Sequence, residues 1–408
     1  MMVESSPDVV VVGAGVIGLS CGWQAAAAGL SVVVIDPHPG HGATWAAAGM
    51  LAPAGEAHFG EDALTALNLR AARAWPAFAH SLQETSGITV HYLADGTLMV
   101  AVDPSDQVAA DDLLAYRQAL GLSADRLSGR ECREAEPLVA PGVRGGANLV
   151  DDHQVDNRLV VSALLSACSN HGVTMVADEV TGLEQRRGRV VGVTLRTGAR
   201  CPAGTVVLAA GCRSGRLDGV PDHVLPPVRP VKGLTLRLAA PDTVPTLRRP
   251  LRGLVHGRTC YLVPRPDRTV VVGATVEERG FDLSVTVGAV GDLLDDGRRL
   301  VPVLEEYELV DTTTGLRPGT PDNAPIVGQT DIPGLLVATG HYRNGILLAP
   351  VTAHEVVRLL VGAAARGTPE GGWDDRGDFA PFRPGRFGDP APEVRRRPPH
   401  PEHAPARR

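Results

Sequence analysis

With 408 residues, 44% of them hydrophobic, the chain can bury a sizeable core and has room for two domains or one elaborated domain. A formal charge of −7 with no long basic block before the tail argues against nucleic-acid binding, and no apolar stretch is long enough for a convincing membrane span. Six scattered cysteines with no CxxC pair fit a reducing compartment and offer neither a metal site nor a disulfide framework. The N-terminus has no basic or apolar signal region, so a cytoplasmic protein is expected.

The segment Asp8 to Asp36 organises the rest. Val9–Val12 reads as a strand buried on both faces and runs into Gly13-Ala14-Gly15-Val16-Ile17-Gly18. A short Ala-rich helix follows, Gly29 ends it, and a second strand, Val32–Ile35, stops at Asp36. Gly13 permits the tight turn, Gly15 lets a pyrophosphate approach the backbone, and Gly18 lets helix and strand pack closely. Phosphates would sit on the helix N-terminus, beside Val16 and Ile17, and Asp36 suits a ribose hydroxyl. The glycines alone would fit a ligand-free turn; the flanking strands, the helix and the acid select dinucleotide binding.

Pro37 opens a polar turn, after which Ala43-Thr44-Trp45-Ala46-Ala47-Ala48-Gly49-Met50 has almost no side-chain volume. Two readings stand: a tight helix-packing site, or a backbone passing close to a flat ligand, with Thr44 offering a hydroxyl to a phosphate or ribitol. Asp62–Ser86 is an amphipathic helix with Leu64, Leu67, Ala71, Trp75, Phe78 and Leu82 on one stripe. A strand at Leu98–Val102 and helices at Asp111–Leu120 and Gly129–Glu136 leave the nucleotide-binding pattern, so a second domain starts near residue 87.

Asn157–His171 reads as a helix, followed by strands at Val173–Val176, Val180–Arg186, Arg189–Leu195 and Thr205–Leu208. The last ends in Ala209-Ala210-Gly211, which again suits close passage of a cofactor and returns the chain to the first domain. Strands resume at Val228–Leu238, and Thr259–Val263 and Thr269–Ala274 form a hairpin around Pro264–Arg268. A helix is expected at Leu293–Leu304, and Gly315-Leu316-Arg317-Pro318-Gly319 reads as a constrained turn. The strand Leu335–Thr339 ends in Gly340-His341-Tyr342-Arg343-Asn344-Gly345. The helix Ile346–Leu360 follows, with Pro350 expected in its first turn. Residues 366–408, rich in Pro, Arg, Gly and acid, read as a disordered tail.

The fingerprint resembles, together with ATWAAAGMLAP at 43–53, RPVKG at 229–233, CYLVPR at 260–265, VVGATVEERGFD at 271–282, GLRPGTPDNAPIVG at 315–328 and GHYRNGILLAP at 340–350, bacterial glycine oxidase of thiamine biosynthesis. That enzyme is a member of the D-amino-acid oxidase/sarcosine oxidase flavoenzymes. The resemblance runs from about residue 8 to 362.

It implies an α/β fold: a discontinuous, Rossmann-like FAD-binding domain (1–86, 151–225 and 322–365) and a smaller α+β substrate domain on an antiparallel sheet (87–150 and 226–321). It implies non-covalent FAD, hydride transfer from the substrate α-carbon to flavin N5, an imine product, and O2 as acceptor giving H2O2. Substrates would be glycine or other small amines, with the imine supplied for thiamine thiazole synthesis and handed to a thiazole synthase. A homo-oligomer follows by analogy.

Arg317 would fork onto the substrate carboxylate, Tyr261 would share it, and Arg343 would stand nearer the flavin edge. By the same resemblance Val180 would contact the adenine side through its backbone. The N-terminus Asn344-Gly345-Ile346 would face the flavin pyrimidine ring and stabilise its reduced form. No side-chain acid or base is assigned. Trp45 and Val276 depart from relatives, Val276 replacing a methionine that lines some sites. A D-amino-acid or sarcosine oxidase, and a dehydrogenase that passes electrons to a partner, remain alternatives. A binding protein that keeps FAD structurally would not need Arg317 and Tyr261, and an NAD dehydrogenase would not need the second helix start at 340–345.

Overall fold

The computed structural model describes residues 6–221, 224, 228–362 and 377–387. Two sheets organise it. The first has six strands in the order Ile326–Gln329, Leu335–Thr339, Thr205–Leu208, Val9–Val12, Val32–Ile35, Thr174–Val176. All neighbours run parallel except Ile326–Gln329, which is antiparallel to Leu335–Thr339. The valine run at 9–12 is wholly apolar because both of its faces are covered. Val9 and Val11 join a core with helices Val16–Ala27, Asp62–Ser86, Asn157–Asn170 and Gly345–Val361. Val10 and Val12 join a second core under a three-stranded antiparallel sheet, Val180–Arg186, Arg189–Leu195 and Arg200–Pro202. Strands 32–35 and 205–208 flank Val9–Val12 on opposite sides, so the strand order reverses at its C-terminal end. Open α/β sheets bind ligands in the crevice at such a switch point.

The second sheet has eight strands, in the order Glu308–Gly319, Arg229–Ala239, Thr269–Gly273, Arg258–Pro264, Leu251–Val255, Thr97–Ala101, Gly145–Leu149, Ala124–Ser128. It is antiparallel except where Leu251–Val255 runs parallel to Thr97–Ala101. One face packs on helix Val287–Leu300 through Leu234, Leu236, Leu262 and Leu300. The other face looks toward the first sheet and carries the site.

Several boundaries move, each for a local reason. The helix expected at 111–120 spans Pro104–Ala119, because the Asp103 carboxylate caps Asp106 N–H and Pro104 suits the first turn. The helix expected at 293–304 spans Val287–Leu300, capped by Thr286, and Pro302 opens a separate 3₁₀ turn. Arg317 lies within the strand Glu308–Gly319 and not in a turn. This is an edge strand, where Pro318 is tolerated opposite Pro230. Pro350 sits in the second turn of its helix rather than the first, leaving the Ile346 carbonyl without a helical donor.

The disordered-tail expectation fails for residues 377–387, where Phe379 and Phe382 are buried in the main core and Arg386 pairs with Asp322 at 2.9 Å. The remainder of the expected tail lies outside the described residues. Among the described residues, no helix is long and apolar enough to cross a membrane.

Candidate active site

A cavity of about 920 Å³ opens between the two sheets. At one end is the glycine turn. Gly13, Gly15, Val16, Ile17, Asp36 and Pro37 line the cavity. Gly18 does not; its hydrogen touches the Gly13 carbonyl, where a Cβ could not fit, so its role is the close helix–strand packing expected. Asp36 accepts from the backbone N–H of Ala14 (2.8 Å) and His38 (2.7 Å), which pins the turn. The helix from Val16 to Ala27 has no side-chain cap at Gly15 and no acid in its first turn, so its positive end is left for an anion. Thr44 Oγ1 accepts from Val16 N–H at 3.0 Å, placing that hydroxyl beside the expected phosphates.

Thr44, Ala47, Ala48, Gly49 and Met50 line the cavity. The alanine stretch divides into a packed part and a part that borders the cavity. Ala43–Ala46 is a short helix against the second sheet, where a Cβ at Gly315 would sit 2.7 Å from the Ala46 Cβ. Beyond it the backbone borders the cavity. Buried polar side chains fix that backbone: Asn157 Nδ2 donates to the Thr44 carbonyl (2.8 Å), Thr235 Oγ1 to that of Ala46 (2.9 Å), and Arg265 to that of Ala48 (2.5 Å). Trp45 points away from the cavity and stacks on His41, with the Arg158 guanidinium 4.5 Å from its ring centroid.

Val180, Ala210 and Gly211 line the cavity, Ala210 beside the Gly13 turn, and so do His341, Tyr342, Arg343, Asn344, Gly345 and Ile346. Gly340 stands behind them, packed against Thr320. The helix Gly345–Val361 has neither a side-chain cap at Asn344 nor an acid in its first turn. Two uncapped helix starts therefore face one cavity. His341 is buried, its Nε2 is bonded to Thr352 Oγ1 (3.0 Å), and burial pushes its pKa down to about 3, so the ring is neutral.

The second sheet supplies the remaining wall. Its register places Gly315 opposite Gly233, and Gly273 between Thr235 and Tyr261. Arg317, two residues on from Gly315, lies on the same face. A Cβ at Gly233 would sit 2.5 Å from Arg317 Cζ and Nη1, and one at Gly273 would sit 2.5 Å from the Tyr261 hydroxyl. The two glycines thus form a floor over which Arg317 and Tyr261 lie from opposite sides. Arg317 Nη1 donates to the carbonyl of Thr275 (3.1 Å), and its Nε and Nη2 have no partner among the described residues. The Tyr261 hydroxyl also lacks a hydrogen-bond partner there. Burial raises its pKa, so it stays a donor.

Sequence reasoning missed three parts of this wall. Arg252 lies opposite Tyr261 on the next strand, and its Nη1 donates to Glu56 Oε1 at 2.6 Å. Glu56 Oε2 is 3.6 Å from Arg343 Nε. Burial works to raise the Glu56 pKa, but the two guanidiniums outweigh it and hold the carboxyl at about 2. Gly233 is the third part; it stands inside the quoted RPVKG motif with no role given to it. Val276, by contrast, is half exposed and does not line the cavity, so it does not set the pocket volume.

The cavity fits an extended dinucleotide with a flat ring system: one helix start and an acid at the end by Gly13, small residues along the middle, and a second helix start at the other end. The comparisons agree. Residues 8–359 match the family model described as FAD dependent oxidoreductase. The chain is 36% identical over 358 residues to a bifunctional ThiO/ThiG protein of a Nostoc species, covering 87% of this chain and 52% of that one; it spans about half the length of that relative. A solved glycine oxidase from Geobacillus kaustophilus superposes with a TM-score of 0.82 at 32% identity, over 93% of this chain and 99% of that one. An iminodiacetate oxidase from a Chelativorans species superposes at 0.76 with 25% identity, over 92% and 98%. The chain belongs to the FAD-dependent oxidoreductase family, and FAD is its cofactor.

Proposed function

We propose that this protein is an oxidase of glycine and similarly small amines, and that Arg317 and Tyr261 hold the substrate carboxylate. One observation carries the reading: Arg317 and Tyr261 lie over Gly233 and Gly273 on one sheet face, inside the cavity that also holds the dinucleotide turn. The unpartnered Nε and Nη2 edge of Arg317 matches a carboxylate bidentately, and the Tyr261 hydroxyl supplies a neutral donor beside it. Held there, the substrate α-carbon is set against the flavin. Bound FAD would supply the two-electron chemistry: a hydride leaves that carbon, a proton leaves the amine nitrogen, and the two electrons with two protons would convert O2 to H2O2.

Gly13, Gly15 and the helix start at Val16 would hold the pyrophosphate and Asp36 the adenosine ribose. Val180, Ala210 and Gly211 would lie along the adenosine half, and Thr44 with Ala47–Met50 would border the ribityl chain and flavin. His341–Ile346 would face the pyrimidine end. Neither His341 nor Glu56 offers a ready general base: His341 is neutral but committed to Thr352, and Glu56 is held at about 2. The amine therefore has to arrive as its free base. Similarity to one half of a bifunctional ThiO/ThiG protein supports delivery of the imine to a thiazole synthase as partner.

The test is a peroxide assay of the FAD-loaded protein with glycine, sarcosine and D-alanine, on wild type and Arg317→Ala. Turnover of glycine, lost in the variant mainly as a raised KM, is expected. Flavin bleaching without peroxide in air would make the protein a dehydrogenase. No bleaching with any of the three amines would exclude the amino-acid reading.

A further inference from the structure

We propose that Glu56 is the specificity residue of this site: its carboxylate occupies an anion subsite between Arg252 and Arg343, so the cavity takes amino acids with one carboxylate and turns away those carrying a second. The inference rests on the amino-acid oxidase reading and names its substrate class.

Of the charged side chains that line the cavity, Arg317, Arg343 and Glu56 act on Tyr261, and Arg252 lies opposite it in register. Arg317 and Arg252 come from strands of the same sheet. The register Arg252↔Tyr261↔Gly273 puts Arg252 directly beside the tyrosine proposed to bind substrate. Glu56 bridges the other two cations, 2.6 Å from Arg252 and 3.6 Å from Arg343. With that bridge in place, Arg317 is the one of these three guanidiniums with no carboxylate partner among the described residues, which matches a substrate with a single carboxylate.

The position of Glu56 is built from beneath. The backbone N–H groups of Ala54 and Gly55 donate to the two oxygens of buried Asp152, at 2.8 and 2.7 Å. Arg117 Nη2 donates to the Gly55 carbonyl at 3.0 Å. These bonds stop the 54–56 backbone from swinging the carboxylate out of the cavity. A second substrate carboxylate entering here would meet Glu56 head-on, two like charges in a site shielded from water. Without the Glu56 charge, buried Arg252 and the partly exposed Arg343 would lose the carboxylate that pairs them, and an incoming carboxylate would satisfy both.

An ion pair serving only the fold would neutralise Arg252 without affecting which substrate binds. Two secondary amines separate the cases. Iminodiacetate is sarcosine with a carboxylate in place of the methyl hydrogen. On the FAD-loaded protein, kcat/KM for both would be measured by peroxide formation. Dissociation constants for acetate and malonate would be read, without turnover, from the perturbation of flavin absorbance. The wild type should favour sarcosine by at least about tenfold and bind acetate in preference to malonate. Glu56→Gln should shift both ratios toward the dicarboxylate by about tenfold or more, and Glu56→Asp, which keeps the charge, should not.

A wild type that uses iminodiacetate as well as sarcosine, or a Glu56→Gln protein in which both ratios stay put, overturns the proposal. If Glu56→Gln does not fold, the wild-type ratios and those of Glu56→Asp decide it. If no amine reduces the flavin, the amino-acid reading has failed, and the acetate-to-malonate ratio still decides the role of Glu56.

Discussion

Gly233→Ala should damage catalysis while leaving the fold intact. The added Cβ would stand 2.5 Å from Cζ and Nη1 of Arg317. Carbon atoms in comfortable contact lie at about 3.5–4.0 Å, so the guanidinium must retreat by about 1 Å. It is the end of a flexible side chain bordering a cavity, so the retreat costs the fold little. The strand backbone also gains about 0.4–1 kcal/mol from losing glycine, where its conformation allows alanine. Catalysis has no such slack, since a misplacement of about 1 Å can cost on the order of 100-fold. We expect kcat/KM for glycine to fall by about 30- to 100-fold, near 2–2.7 kcal/mol, mostly through KM. Peroxide initial rates give the kinetics, an acetate titration of the flavin spectrum gives the carboxylate affinity, and a thermal melt followed by flavin fluorescence controls for folding. A folded, FAD-loaded variant with kcat/KM within about threefold of wild type would refute Arg317 as the carboxylate clamp.

Tyr261→Phe should lower kcat/KM by about tenfold, the worth of a hydrogen bond to a charged group. Its Tm should not move in a thermal melt, because the hydroxyl has no hydrogen-bond partner to lose among the described residues. Phe382→Ala should cost about 3 kcal/mol in urea denaturation, since the ring is 2% exposed and sits in the main core. An unchanged midpoint would detach the 377–387 segment from the fold. His341 makes the protein acid-sensitive: its folded pKa is depressed from 6.5 to about 3, so its contribution is intact above pH 6.5 and is lost as pH falls from there toward 3. Over most of that window the loss runs at about 1.4 kcal/mol per pH unit. Burial lowers His58 and His153 in the same direction, so His341→Gln should flatten the stability profile between pH 6.5 and 4.5 by one proton's slope without abolishing it. Glu56 acts further down: its stabilising ion pairs are present above pH 4.5 and are lost as the pH falls from there through about 2.

What was legible in the sequence was local. Valine runs with no polar alternation marked strands covered on both faces. The glycine spacing and Asp36 named the turn, and small residues at 46–49 marked a backbone with something close by. Arg317 and Tyr261 came by resemblance, and the register then gave a physical reason for them, two glycines that let both side chains lie flat. Arg317 was misread as a turn residue because Gly and Pro punctuate most chains. An edge strand tolerates them where its N–H groups are not needed.

Glu56 and Arg252 were invisible because nothing local links them. They meet only after Leu251–Val255 is inserted beside Thr97–Ala101 in a parallel pairing that periodicity cannot foretell. The segment around Phe379 and Phe382 was lost to composition: two rings among Gly, Pro, Arg and Asp do not read as core until the main hydrophobic cluster offers them a place.

The central claim is that a small amino acid, clamped by its carboxylate, reduces the bound FAD. Mixing the FAD-loaded protein with glycine in the absence of oxygen and following the flavin absorbance near 450 nm tests it most directly, with air admitted at the end and peroxide counted. Bleaching that saturates with glycine, weakens in Arg317→Ala and yields one peroxide per flavin on reoxidation is the predicted result. A flavin that stays oxidised in glycine, sarcosine and D-alanine alike would contradict it.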